Sequence, residues 1–105
     1  MYGGRIMPQL LSLYGYKVYF WSNEGSPIEP IHVHVSKTPH QHSTKIWIHE
    51  DGSCSLANNQ DNIPNKVLNK ILRAITDFSP TIINEWQKIF QGISYHQEHE
   101  GPTRD

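Results

Sequence analysis

The chain has 105 residues, 36% of them apolar, and a formal net charge of −1 with histidine neutral. That length suits one domain with a single core, and the near-neutral charge supplies no global field that would recruit nucleic acid or an anionic membrane. Cys54 is the only cysteine, which excludes an internal disulfide and a cysteine zinc cluster.

Residues 1–4 read as a flexible start. Residues 5–13 carry Ile6, Leu10, Leu11 and Leu13 around Pro8. Proline cannot donate to a ladder, so this is an edge strand or one that begins after Pro8. Tyr14-Gly15 is a turn, with Gly15 able to take positive φ. Residues 16–21 alternate Tyr16, Val18 and Phe20 against Lys17, Tyr19 and Trp21, so the first two strands form a hairpin.

Residues 22–30 are a polar turn with two prolines. Residues 31–36 re-enter a strand in which Ile31, Val33 and Val35 face one way and His32, His34 and Ser36 the other. Residues 37–43 are a loop, and Thr44 to His49 a fourth strand. Asp51-Gly52 is a strong turn signal. Ser53 to Ala57 is a short fifth strand, followed by a polar loop at 58–62.

From Pro64 the period becomes helical. Val67, Leu68, Ile71, Leu72, Ile75 and Phe78 form one apolar stripe, and Ile82, Ile83, Trp86, Ile89 and Phe90 a second. Ser79 suits an N-cap and Pro80 a first helical position, so the pair is expected to stop one helix and start the next. Gly92 suits a C-terminal cap. The fold class is therefore α+β: a small antiparallel sheet of four to five strands followed by two C-terminal helices packed on one face. The domain spans 1–92, with 93–105 a flexible polar tail.

If the helices cover one sheet face, the other carries Lys17, Tyr19, Trp21, His32, His34, Lys45, Trp47 and His49. An exposed face rich in aromatics and histidine suits a binding surface or an oligomer contact. His32-x-His34 is its sharpest feature, because a spacing of two on a strand puts both imidazoles on one side, with Cα atoms about 6.5–7 Å apart. The pair can clamp a divalent metal such as zinc, completed by Glu24 or His49. It can equally supply a general acid and base, with Glu24 as partner and Lys45 stabilising a developing anion. Trp21, Asn23, Trp47 and His49 are the candidate binding residues, and the tryptophans can stack a base or a partner's side chain. The remaining reading is a polar strand face with no chemistry, or one whose histidines respond to pH. His40 and His42 read as solvated loop residues. No glycine-rich phosphate loop, nucleophile elbow or zinc-protease helix motif occurs.

Ser22-Asn23-Glu24, Pro30-Ile31-His32-Val33-His34-Val35, Lys45-Ile46-Trp47-Ile48 and Glu85-Trp86-Gln87-Lys88-Ile89-Phe90 resemble, in that order, a small prokaryotic family known as domain of unknown function 4160. The resemblance covers about residues 7–91. The chain departs from the family pattern at Pro27-Ile28-Glu29-Pro30, in place of a tighter double proline, and in the histidines of loop 37–43. Similar proteins are often encoded beside a second small domain. The resemblance therefore implies a component of a toxin–antitoxin-like or phage-defence pair.

The leading expectation is a small partner-binding module that engages another small protein or a second copy of itself. The alternative is a histidine-dependent enzyme, nuclease-like or a metal-dependent hydrolase, using His32, His34 and Glu24. No apolar run of a signal peptide opens the chain, and no segment approaches the ~20 apolar residues of a membrane span, so a cytoplasmic location is expected.

Overall fold

The computed structural model describes residues 6–21, 29–90 and 92–97, with the backbone alone for 6–8. Five strands run in chain order: β1 (Ile6–Leu13), β2 (Tyr16–Trp21), β3 (His32–Ser36), β4 (Thr44–Ile48) and β5 (Cys54–Asn58). Each pairs antiparallel with the next, and the sheet order is β1-β2-β3-β4-β5. A single helix, α1 (Asn65–Phe90), follows.

Local chemistry accounts for the turns. Tyr14 and Gly15 adopt φ of 52° and 84°, the paired positive values of a two-residue hairpin turn that matches strand twist. The Tyr14 residue itself is 59% exposed. Pro8 lies where the β1–β2 register shifts, between Ile6 and Gln9, on an edge strand as a proline requires. Between β4 and β5, Gly52 turns at φ 92°.

The core lies between one sheet face and the helix. Val18, Phe20, Ile31, Val33, Val35, Ile46 and Ile48 are fully buried, and the helix sets Leu68, Ile71, Ile75, Ile82 and Trp86 among the same cluster. Phe20 meets Trp86 edge-on at a centroid distance of 5.4 Å. Side-chain alternation alone places these strand residues, as the sequence pattern requires.

The two expected helices are one, and the reason is tertiary. Buried positions 68, 71, 75, 79, 82 and 86 keep spacings of three and four straight through Ser79-Pro80. A break there would rotate half of this stripe off the sheet. Ser79 is 2% exposed, inside the helix and not at its cap. A Cβ built on Gly52 would stand 3.0 Å from Ser79 Oγ. The serine is thus the small residue that the β4–β5 turn needs where it crosses the helix.

A second correction concerns the sheet face away from the helix. It was expected to face solvent, yet Tyr19 is 0%, Ser36 1%, His32 6% and His34 8% exposed. Loop 37–43 folds over it, since the Tyr19 hydroxyl accepts from His40 N at 3.1 Å. The C-terminal segment also returns to the sheet. Ile31 N donates to Ser94 O at 2.9 Å, Trp86 Nε1 donates to Gly92 O at 2.9 Å, and Ile93 and Tyr95 pack on the core. Residues 93–97, expected in the polar tail, are therefore docked; 98–105 lie outside the described residues. Among the described residues no helix is long and apolar enough to cross a membrane.

Candidate functional site

The site is built on β3, whose alternation puts His32 and His34 side by side on the face opposite Val33 and Val35. Their ring centroids lie 5.1 Å apart at 79°. Register then supplies the flanks: His34 is opposite Tyr19 on β2 and Lys45 on β4, and His32 is opposite Trp47.

His34 stacks on Tyr19, with centroids 5.8 Å apart and planes at 24°. Its Nδ1 lies 3.0 Å from Ser43 Oγ. The Tyr19 hydroxyl donates to the same Ser43 Oγ at 2.7 Å and lies 3.0 Å from Ser36 Oγ. Ser36 Oγ donates to Thr38 O at 2.9 Å. A buried chain of hydroxyls thus locks the His34 ring in place from below.

His32 is oriented by the backbone. Its Nδ1 sits 2.9 Å from Pro30 O. A carbonyl oxygen only accepts, so Nδ1 carries the proton and Nε2 of the neutral ring is left as a bare acceptor. The ring is enclosed edge-on by Trp47 at 5.8 Å and Trp86 at 5.6 Å.

Lys45 Nζ reaches Glu29 Oε1 at 2.6 Å and lies 4.5 Å from the centre of the Trp47 indole. Trp21, Glu29, His32, His34, Gln41, His42 and Lys45 line one pocket of about 160 Å³. Trp21 Nε1 is buried with no hydrogen-bond partner among the described residues. The pocket wall therefore offers an ammonium, a carboxylate and three imidazoles.

Electrostatics set the charge states. Burial, followed by the neighbouring His32 and Lys45, pushes His34 from its ordinary 6.5 down to about 4. Burial also lowers His32, and Lys45 adds to it, against the opposing pull of Pro30 O and Glu29. For Glu29, burial raises the carboxyl pKa, but the Lys45 hydrogen bond and the charges of His32, Lys45 and His34 outweigh it, and the net direction is down. At neutral pH His32 and His34 are thus neutral imidazoles beside the Lys45–Glu29 ion pair.

Of the residues singled out in the sequence, His32, His34, Lys45, Trp21 and Trp47 come together. Glu24 and Asn23 lie outside the described residues. His49 does not join them: its Nε2 lies 2.8 Å from Ser55 Oγ, and the residue lines a separate cavity with Glu50, Asp51, Ser53, Tyr95, His96 and Gln97. Among the described residues no group of three histidine, cysteine or acidic side chains is placed to hold a metal, so any clamp on His32 and His34 needs a ligand from elsewhere.

Sequence reasoning missed Glu29, Ser43 and Gln41, and it read His42 as a solvated loop residue, whereas His42 lines the pocket. Glu29 stands in the polar turn between two prolines, with no spacing that ties it to a lysine 16 residues away. His42 and Ser43 come from a loop whose path depends on Tyr19 and on a second anchor. In that anchor His40 Nε2 meets Asp61 Oδ1 at 3.0 Å, and Thr44 N donates to Asp61 Oδ2 at 2.7 Å. The histidine density of the loop was the one available signal.

No curated protein and no solved structure matches the chain. The family model described as "Domain of unknown function (DUF4160)" matches residues 15–87, from the start of β2 to Gln87 near the end of α1. That span is more than half of the chain and contains both histidines, Lys45 and Trp47, and the chain belongs to this family.

Proposed function

We propose that the protein is a small acid–base catalyst acting on a phosphodiester, with His32 as general base and Lys45 as the anion-stabilising cation. The observation that carries this reading is the convergence of His32, His34, Lys45 and Trp21 on one small pocket. The bare Nε2 of His32 takes a proton from an attacking hydroxyl or water. Lys45 holds the phosphoryl oxygens as negative charge concentrates on them. His34 is unprotonated at neutral pH, but a bound phosphate places negative charge beside it and raises its proton affinity, so it takes up from solvent the proton that it then delivers to the leaving group.

Acyl transfer fits less well. Ser43 pairs with His34, but it is 2% exposed, its oxygen already accepts from Tyr19, and it does not line the pocket. A nucleophile must reach the substrate. A partner-binding face, as in a toxin–antitoxin-like or phage-defence pair, needs open aromatic surface. Burial of Tyr19, His32 and His34 removes much of what supported it, so the catalytic reading stands first.

The test is His32→Gln. The amide N–H can still donate to Pro30 O, so the ring's anchoring role is kept while the base is lost. With a short single-stranded oligoribonucleotide as substrate, the variant should cleave at least about 100-fold more slowly, as expected for loss of a general base, with the thermal midpoint little changed. A wild-type protein that cleaves nothing, or a variant as fast as wild type, overturns the reading.

A further inference from the structure

Trp47 stands beside the pocket without lining it. Its indole meets His32 edge-on at 5.8 Å and has Lys45 Nζ 4.5 Å from its centre. It also carries a stacked ring: the His96 imidazole lies with its centroid 4.2 Å from that of Trp47 and its plane tilted by only 9°. No other ring pair among the described residues is as nearly parallel. The geometry is that of a base on an aromatic platform, and imidazole is the five-membered ring of a purine.

The way His96 arrives matters. It belongs to segment 92–97, which has no regular secondary structure. The segment is tied to the sheet upstream, where Ser94 O accepts from Ile31 N. Rotation of the backbone beyond Tyr95 and about the His96 side chain can lift the imidazole while the Ser94 bond and the packing of Ile93 and Tyr95 stay in place. What it would uncover is a flat indole next to an ammonium and to the bare nitrogen of His32.

We propose that the Trp47 indole is the base-stacking subsite of the pocket, and that the His96 imidazole stands where a nucleobase binds. This rests on the phosphodiester reading above and names the substrate class: a nucleotide unit of a single strand, its base on Trp47 and its phosphate towards Lys45 and His32. A duplex is excluded because its bases are already stacked. A net charge of −1 gives no field for a long polyanion, so one or two nucleotide units are engaged and not an extended track. Stacking uses the π-face that every base has, so discrimination between bases is weak. His96 must leave before the base can bind, so its removal strengthens binding.

The experiment uses the full chain and a fluorescent four-nucleotide oligodeoxynucleotide, which lacks the 2′-hydroxyl, so that binding is read apart from cleavage. Adenosine monophosphate and inorganic phosphate serve as competitors. His96→Ala should bind the oligonucleotide several-fold more tightly than wild type. Trp47→Leu should bind it about tenfold more weakly, in line with loss of one base stack. Adenosine monophosphate should compete far better than phosphate. Unchanged or weaker binding by a folded His96→Ala protein overturns the proposal, and so does phosphate competing as well as the nucleotide. If Trp47→Leu does not fold, Trp47→Phe replaces it and should show a smaller loss. Binding with this pattern but without cleavage of an oligoribonucleotide would overturn the catalytic reading and leave the stacking site standing.

Discussion

Burial of His34 makes it a neutral residue at physiological pH, and this links the site to stability. Its pKa falls from the ordinary 6.5 in the unfolded chain to about 4 in the fold. Between those values the unfolded chain takes up a proton that the native pocket resists, so stability falls as pH drops. The contribution is complete above pH 6.5 and is lost by about pH 4, on the order of 3 kcal/mol for a shift of this size. His32 is lowered as well and adds in the same direction. Glu29 and Asp61, whose carboxyls are also lowered, contribute only below their ordinary 4.5 and 3.8. Chemical denaturation at pH 7, 6, 5 and 4.5 should therefore show a steady decline in wild type and a visibly shallower one in His34→Gln. Equal slopes would mean that His34 already carries its charge in the fold. The pairing of His32 with His34 was legible because strand alternation is a local rule. Their burial was not, because it depends on residues 37–43 and 92–97 closing over them.

At the scale of elements, the helix is where local signals and tertiary demand part. Ser79-Pro80 carries the chemistry of a helix start, and a proline in a helix interior loses a hydrogen bond and crowds the carbonyl four residues back. Helix α1 nevertheless continues, because its buried stripe runs unbroken along the sheet and the Gly52 turn requires a small residue at 79. Pro80 itself is exposed. Pro80→Ala should then raise stability by roughly 1–3 kcal/mol by restoring a backbone donor within a helix that is already formed. A loss of stability in urea unfolding would mean instead that Pro80 sets the start of a separate helix. The strands behaved differently. Each boundary inferred from alternation fell within a residue or two of the observed one, since turns such as Tyr14-Gly15 and Asp51-Gly52 are encoded by their own residues.

Over the whole molecule, one sheet is covered on both faces by different means. The helix covers one face with apolar side chains, whereas loops and the C-terminal segment cover the other with hydrogen bonds and stacked rings. That second cover is thin, and segment 92–97 belongs to it. Ending the chain after residue 91 should remove the acceptors of Ile31 N and Trp86 Nε1 together with the packing of Ile93 and Tyr95. A stability loss of about 2–4 kcal/mol is expected from two hydrogen bonds and two partly buried side chains. Amide exchange at Ile31 should accelerate while exchange at Val33 stays slow. An Ile31 amide that remains equally protected would show that the segment does not hold the sheet end.

Composition, period and turn chemistry by themselves determined an α+β chain, an antiparallel sheet before a helical region, the face on which the residues of β2, β3 and β4 lie, and the neighbouring placement of His32 and His34. These follow from backbone geometry within a few residues, which a sequence records directly. Tertiary structure alone decided that the helix is single, that the histidine face is enclosed, that Glu29 and not a nearer residue pairs with Lys45, and that His96 lies on Trp47. Each of those depends on contacts between residues far apart in the chain, where packing and desolvation outweigh local preference.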